Sequence, residues 1–471
     1  MASEKRPTPA FSIRSAADLY HRRFGVLGLG VSGQAAAHLL LDHGAQVLAA
    51  DENPDLARSS GLKALGAKGA EIQLGPLEID YFLGTEAIIV SPGAPHRLPV
   101  LEAARNQGLQ VIGELELAAR LIRTPMVAVT GTNGKTTTTE LIAAMLSASG
   151  RRVVTGGNIG NPLTQCLEAA RKAHWLVVEV SSFQLDTIQT FHPQIAVLLN
   201  IAQDHMDRYP DFDAYCASKA RIFSNLGNGE SAVVNGADPH VARVCRKRSL
   251  NLRVFGHGDE PNLIDEPLAA RIEPKHITIG GPDQKVAVLN IERTALMGRH
   301  NTENIAAAAL ATLAAGGNLT GIRQALDHYP APRHRMERVA EINEIVFIND
   351  SKATNPHAVQ KALASFDRPV LLILGGRDKE MDFSPLKVPI QARVKTLLLM
   401  GEARDKLEKC LGNLVPTQSV ATLEEALGIA WREARPGDVI LLSPACASFD
   451  QYPNYQARGE AFRRAVETLQ R

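Results

Sequence analysis

The sequence predicts an α/β fold of three tandem αβ domains, Rossmann-like at the N- and C-terminal ends with a phosphate-loop domain between them. Short apolar runs alternate with helical patterns along the chain, the pattern of parallel sheets covered by helices. Two of those runs break into glycine-rich turns that each open a helix, Gly28-Leu29-Gly30-Val31-Ser32-Gly33 and Gly131-Thr132-Asn133-Gly134-Lys135-Thr136. Length agrees, since 471 residues, 45% of them hydrophobic, are enough for about three domains with cores of their own.

The first domain is expected over residues 1–113. A strand is predicted at Phe24 to Leu27, followed by the glycine turn and a helix to His43. A second strand, Gln46 to Ala50, ends in Asp51, and another, Ala87 to Val90, ends in Ser91-Pro92-Gly93. Ligands of doubly wound sheets bind beyond the carboxyl ends of the strands, so these polar ends mark a crevice. A Gly-x-Gly-x-x-Gly turn followed by an acidic residue reads by default as a dinucleotide site. The second nucleotide turn downstream weighs against NAD. Met1 to Arg23 is polar, lacks the apolar stretch of a signal peptide, and reads as a loose tail.

A helix from Glu114 to Ile122, then Pro125, open the central domain, expected over residues 114–331. Met126 to Val129 reads as a buried strand, the turn follows, and Lys135 begins a helix through Ala148. The backbone N–H groups of such a turn and the helix N-terminus form a concave site for phosphate oxygens. Lys135 would reach the β- and γ-phosphates, and the Thr136 hydroxyl would ligate Mg²⁺. Val129 stands where the general ATPase-type loop has a glycine, so the order strand, turn, helix carries the assignment. Gly156-Gly157-Asn158 follows the strand at Val153-Val154. Further strands at Leu176 to Val180 and Ile195 to Asn200 place Glu179 and Asp204-His205-Met206-Asp207 at strand ends. Glu179 has the position of a second metal ligand. From the residues alone, His205 reads as a hydrogen-bonded structural histidine and Lys219 as a solvated helix lysine. Beyond residue 230, alternating runs such as His276-Ile277-Thr278-Ile279 predict an antiparallel addition. The helix Asn301 to Ala315 closes the domain, and Tyr329-Pro330-Ala331-Pro332 reads as a linker.

The third domain, residues 332–471, alternates again, with strands predicted at Ile345 to Asn349, Val370 to Leu374, Thr396 to Met400 and Val439 to Leu442. Polar clusters follow three of them: Asn349-Asp350-Ser351-Lys352-Ala353-Thr354-Asn355, Gly375-Gly376-Arg377-Asp378-Lys379 and Ser443 to Asp450. Together they mark a second crevice, in which Lys379 and the hydroxyls of Thr354 and Ser448 would suit a small carboxylate. Cys446 has no base near it in sequence and reads as buried and inert.

Composition excludes several classes. With 51 basic and 50 acidic residues, net +1, no overall field draws the chain to nucleic acid or an anionic membrane. Five scattered cysteines without a Cys-x-x-Cys pair argue against a disulfide framework and fit a reducing cytosol. No run approaches the roughly 20 apolar residues of a membrane span, so a cytoplasmic protein without membrane insertion is expected.

Thr130-Gly131-Thr132-Asn133-Gly134-Lys135-Thr136, Asp204-His205-Met206-Asp207-Arg208-Tyr209, the run Asn349 to Asn355 and Ser443-Pro444-Ala445-Cys446-Ala447-Ser448-Phe449-Asp450-Gln451 together resemble the Mur ligases of bacterial peptidoglycan synthesis. The likeness extends from Gly25 to the C-terminal helix and is greatest to members that add D-glutamate to UDP-N-acetylmuramoyl-L-alanine. It implies an ATP- and Mg²⁺-dependent ligase that forms a C–N bond through an acyl phosphate, as a monomer, releasing ADP and phosphate. The uridine diphosphate of the substrate, rather than NAD, would lie on Gly30, Val31, Ser32, Asp51, Ser91, Pro92 and Gly93, with Asn158 near the reacting carboxylate. ATP would be cradled by Gly131, Thr132, Asn133, Gly134, Lys135, Thr136 and Thr137, with Asn301, Asn304, Arg335 and Asp350. Mg²⁺ would be held by Thr136, Glu179 and His205, and by Lys219 as a carbamate. Lys135, Asn158, Glu179, His205 and Lys219 form the implied catalytic set. D-glutamate would meet Thr354, Lys379, Ser448 and Tyr455.

Overall fold

Three sheets follow one another along the chain, as the alternation predicts. The computed structural model describes residues 12–95, 98–246, 248–281, 284–292, 294–296, 298–330 and 333–469. The first sheet has five parallel strands in the order Glu71–Leu74, Gln46–Asp51, Arg23–Leu27, Ala87–Val90 and Gln110–Gly113. Its outer strands, Glu71–Leu74 and Gln110–Gly113, escape the sequence reading because they are short and partly polar. Strand order reverses on either side of Arg23–Leu27, and the glycine turn stands at that switch point. Gly28 has φ +86°, and a Cβ there would meet Ser91 Cβ at 2.9 Å. A Cβ on Gly33 would lie 1.8 Å from the Gly28 carbonyl oxygen, so the helix Val31–Asp42 docks on the turn only with glycine at this position. Residues 1–11 of the expected loose tail lie outside the described residues. The remainder is not loose, because Ile13 and Leu19 are buried in the core.

The central sheet runs Gln284–Asn290, His276–Gly281, Leu268–Ile272, Asn251–His257, Ser231–Asn235, Ile195–Leu198, Met126–Thr130, Trp175–Glu179 and Val153–Gly157. The hairpin at His276 is antiparallel as expected, but the change of direction comes later than residue 230. Ser231–Asn235, Asn251–His257 and Leu268–Ile272 still pair in parallel. Ser231–Asn235 is wholly buried between its two parallel neighbours. The strand at Val153 runs on through Gly157, taking in the glycines that were expected to follow it. The helices Lys135–Ala148, Arg299–Ala314 and Leu319–His328 cover one face, with Leu141, Met145 and the small run Ala306 to Ala309 in the same core.

The other face shares an apolar core with the first sheet, in which Leu29, Leu40 and Ile89 join Leu163, Val178 and Leu198. The connecting helix Glu114–Leu121 buries two carboxylates at this joint. Glu116 accepts from the N–H groups of Gln189, Thr190 and Phe191, the Thr190 hydroxyl and Arg120 Nε. Glu114 accepts from the N–H and hydroxyl of Thr164. Burial would raise both; it wins at Glu114, whereas the donors around Glu116 outweigh it and lower that carboxyl.

The third sheet runs Glu337–Ile342, Ile345–Asn349, Val439–Leu442, Val370–Gly375, Val394–Met400 and Thr417–Ser419. Its first strand corrects the expectation of a wholly parallel unit. It forms an antiparallel hairpin with Ile345–Asn349 through Asn343 and Glu344, both in the left-handed region at φ 51° and 61°. Two apolar cores cover the two faces of this sheet. Of the expected linker, Ala331 and Pro332 lie outside the described residues, while the Tyr329 hydroxyl donates to Glu140 at 2.7 Å. Among the described residues no helix is long and apolar enough to cross a membrane.

Candidate active site

The phosphate loop leaves the buried strand Met126–Thr130, which is flanked by Trp175–Glu179 and Ile195–Leu198, so its neighbours' polar ends converge on it. The loop is shaped by Gly134 at φ +85°, where a Cβ would meet Asn304 Oδ1 at 2.3 Å. The Lys135 ammonium folds back over the loop and donates to the carbonyls of Gly131 and Thr132, each at 2.9 Å. Lys219, expected on a solvated face, is only 1% exposed and donates to the same Gly131 carbonyl at 2.9 Å. Burial and the neighbouring Lys135 charge together push its amine well below the usual lysine range. Burial lowers Lys135 too, despite the nearby Glu179 and Asp204 charges.

Asn158 Nδ2 donates to Glu179 Oε1 at 2.8 Å. Glu179 is 2% exposed, and its second oxygen is buried with no hydrogen-bond partner. His205 adopts φ 56° and packs edge-on against Phe183 at 4.9 Å. Burial and the nearby lysines bring its imidazole down to about 4 against the pull of Asp204, so it is neutral at physiological pH. Among the described residues no three His, Cys, Asp or Glu side chains gather as a metal group. The orphaned Glu179 oxygen, the neutral His205 and the Thr136 hydroxyl are nonetheless a fitting partial set for Mg²⁺, which keeps waters and phosphate oxygens among its ligands.

The third unit closes on this loop. Asn355 Nδ2 donates to Asn133 Oδ1 and to Asp204 Oδ2, both at 3.1 Å, and Lys379 Nζ reaches Asp204 Oδ1 at 3.0 Å. Burial alone would raise Asp204, but Lys379, His205 and Lys135 outweigh it and hold the carboxyl far below its usual range. On the far side Lys361 pairs with Glu303 at 3.2 Å. Asp350 accepts from the Ser443 hydroxyl and the Met336 N–H, yet burial lifts it to about 7. Burial and Arg335 bring Lys352 down to about 7, and its ammonium lies 4.0 Å from the Tyr455 ring centre.

The cleft so formed has a volume of about 300 Å³. Of the expected residues, Thr132, Asn133, Gly134, Lys135, Thr136, Thr137, Asn158, Glu179, His205, Asn301, Asn304, Arg335, Asp350, Thr354 and Lys379 line it. Gly131 and Lys219 are outside the lining but joined to each other by their hydrogen bond. Ser448, 2% exposed, and Tyr455, beneath Lys352, are also outside it. Gly30, Val31, Ser32, Asp51, Ser91, Pro92 and Gly93 are not in its lining but follow strand ends of the first sheet, where Asp51 Oδ2 accepts from the Leu29 N–H at 2.6 Å. Cys446 is buried and its thiol is pushed up to about 12, in keeping with an inert core residue. Sequence reasoning missed Asp204, Lys352, Asn355 and Lys361 as individual site residues. The first three lie inside runs already singled out, whereas Lys361 carries no local signal.

Comparison with known proteins matches each unit in turn. The family model for the MurD-like N-terminal domain of Mur ligases covers residues 22–113, the Mur ligase middle domain 129–312, and the Mur ligase glutamate ligase domain 334–446. A protein of Desulfosudis oleivorans named UDP-N-acetylmuramoylalanine--D-glutamate ligase is 44% identical over 449 residues, 95% of this chain and 97% of the relative. One of the same name from Desulfatibacillum aliphaticivorans is 43% identical, over 96% of this chain and 99% of its own. Among solved structures, the MurF ligase of Thermotoga maritima in complex with ADP superimposes with a TM-score of 0.60 at 16% identity, covering 97% of this chain and 98% of that one. The pseudomurein peptide ligase type C of Methanothermus fervidus gives 0.59 at 20% identity, covering 95% and 100%. These two share the fold, while the full-length relatives and the three matched units settle the lineage: the chain belongs to the Mur ligase family.

Proposed function

We propose that the protein is an ATP-dependent ligase of peptidoglycan synthesis that joins D-glutamate to UDP-N-acetylmuramoyl-L-alanine, releasing ADP and phosphate. The observation that carries this reading is the meeting in one cleft of a phosphate loop with Thr354 and Lys379 of another unit. Residues 1–113 hold the UDP-substrate, 114–331 the ATP and 332–471 the amino acid. The name shared by full-length relatives at 44% and 43% identity supports the choice of D-glutamate.

A carboxylate and an amine do not condense in water because hydroxide is a poor leaving group. A carboxylate oxygen of the alanyl substrate therefore attacks the γ-phosphorus of ATP, ADP leaves, and an acyl phosphate forms. The free amine of D-glutamate, having lost its proton, then attacks the acyl carbon and phosphate leaves. The first step brings anions together, and fixed cations stabilise the charge that builds between them. Lys135, freed from the Gly131 and Thr132 carbonyls, turns to the phosphates, and Arg335 approaches them from the third unit. Asn158 orients the substrate carboxylate while its amide holds Glu179 in place. Lys379 and Thr354 receive the amino acid. Ser448 and Tyr455 support that end from behind the cleft wall.

Mg²⁺, held by Thr136, Glu179 and His205, would screen the phosphate charge. Lowering the Lys219 amine favours its neutral form, which reacts with CO₂ by forming an N–C bond and releasing a proton. The carbamate puts a negative group beside the Lys135 ammonium. A closed third unit keeps water from the acyl phosphate. The chain acts as a monomer in the cytoplasm, where ATP is available.

Phosphate release with ATP, Mg²⁺ and UDP-N-acetylmuramoyl-L-alanine, measured across a panel of amino acids, tests the proposal. D-glutamate alone should support turnover, with L-glutamate and D-aspartate poor. A preference for L-alanine or a diamino acid would move the protein to a sister activity.

A further inference from the structure

The loop that carries His205 also carries Arg208, whose N–H closes a tight turn onto the His205 carbonyl at 2.9 Å. Its guanidinium stacks on Phe183, 4.7 Å from the ring centre, the same ring that supports His205. From there it crosses to the first unit, where both terminal nitrogens reach the Gly93 carbonyl at 3.4 Å. Those contacts are long for hydrogen bonds, and no carboxylate is paired with this half-buried cation among the described residues. Gly93 is no ordinary surface carbonyl. The turn Ser91 to Ala94 packs against Gly28, close enough that a Cβ on Gly28 would meet Ser91 Cβ at 2.9 Å and Ala94 Cβ at 3.2 Å. Through Gly93, Arg208 therefore reaches the turn that packs on Gly28, the glycine turn from which the helix Val31–Asp42 starts. That helix has no side-chain cap and no acidic residue in its first turn, and its Val31 is 72% exposed.

We propose that Arg208 binds the diphosphate of the UDP-substrate, supplying from the central unit the cation that the glycine turn of the first unit lacks. This rests on the reading that the glycine turn holds uridine diphosphate. A guanidinium matches paired phosphate oxygens with two parallel N–H donors, and Phe183 holds its plane in the required orientation. The same short loop thus fixes one end of the substrate through Arg208 and faces its reacting end through His205. Uridine diphosphate binding and the placement of the reacting carboxylate are coupled by three residues of backbone.

Calorimetric titration of the full-length protein with UDP and with uridine separates this role from a structural one. In Arg208→Ala, UDP should bind about tenfold more weakly, as expected for one charge-assisted contact, with uridine unaffected. Arg208→Lys, which keeps the charge but not the fork, should fall between. The KM for UDP-N-acetylmuramoyl-L-alanine should rise by a similar factor while the KM for ATP stays put. UDP bound as tightly by Arg208→Ala as by the parent would overturn the proposal. So would equal weakening of UDP and uridine, which would make Arg208 a prop for the joint. If the parent itself binds no UDP, the assignment of the glycine turn fails and this proposal with it, a result visible before any variant is made.

Discussion

The two junctions of the molecule are built from opposite materials. Between the first and second sheets runs a continuous apolar core with two buried carboxylates inside it: Glu116 has five donors, and Glu114, which accepts from Thr164, is raised by burial. Between the second and third units lies a cleft crossed by side chains that can part, Lys379 to Asp204, Lys361 to Glu303 and Asn355 to Asn133. A dry core loses contacts steeply when it is displaced, whereas polar and charged side chains can exchange one another for water or ligand as the units part. On the proposed function, the first junction would keep the UDP site in register with the phosphate loop, and the second would open for ATP and amino acid and close for chemistry.

Breaking the first junction should have the largest effect on stability. Glu116→Ala strands the donors of Gln189, Thr190 and Phe191 and removes the buried carboxylate that Arg120 Nε meets at 2.8 Å. A loss of about 3–5 kcal/mol is expected, read as a lower urea midpoint. An unchanged midpoint would show that the carboxylate is not what secures the joint. Lys135→Ala, at the other junction, should leave the midpoint nearly alone and cut kcat about a hundredfold or more, since it removes a cation from the transferring phosphoryl group. Retained turnover in that variant would remove the phosphate loop from the chemistry.

Lys379→Met should be milder and specific. It deletes a carboxylate partner in the cleft, and the KM for D-glutamate should rise by roughly 1–3 kcal/mol of binding, with the KM for ATP changed less. Equal effects on both would make the ion pair with Asp204 merely a closing contact. A further effect is one of pH. Unfolded, Asp350 ionises around 3.8; folded, burial holds its proton to about 7. The folded state then binds more protons between those values, so this group lowers stability as pH rises through that window. Asp350→Asn should raise the urea midpoint near neutral pH and hardly at about pH 4. A gain independent of pH would refute the assignment.

Much of this contrast is hidden in the sequence. The glycine turns and the strand ends around them are legible because their motifs are local: Gly28, Gly134 and Glu179 are marked by residues a few positions away. The joint is not. Glu114 and Glu116 look like ordinary acidic residues in the first turn of a helix, and only packing against residues 163–164 and 189–191 buries them. Lys219 fails in the same way, since its partner Gly131 lies 88 residues earlier. The edge strand Glu337–Ile342 turns on Asn343 and Glu344 in the left-handed region, a conformation that glutamate seldom signals. Ser448 shows the converse, a residue that its motif puts among the expected ligands but that is buried outside the lining of the cleft.

The division into a fixed joint and a closing cleft is open to direct measurement with pairs of spin labels. Leu83→Cys in the first unit, Glu168→Cys in the second and Val388→Cys in the third place labels at exposed positions, with the half-buried native Cys410 replaced. Distances from the second unit to the third should be broadly distributed in the free protein and narrow when an ATP analogue and UDP-N-acetylmuramoyl-L-alanine are added. Distances from the first unit to the second should stay as they were. A first-to-second distance that shifts as far as the other, or a second-to-third distance that ignores both ligands, would contradict the account.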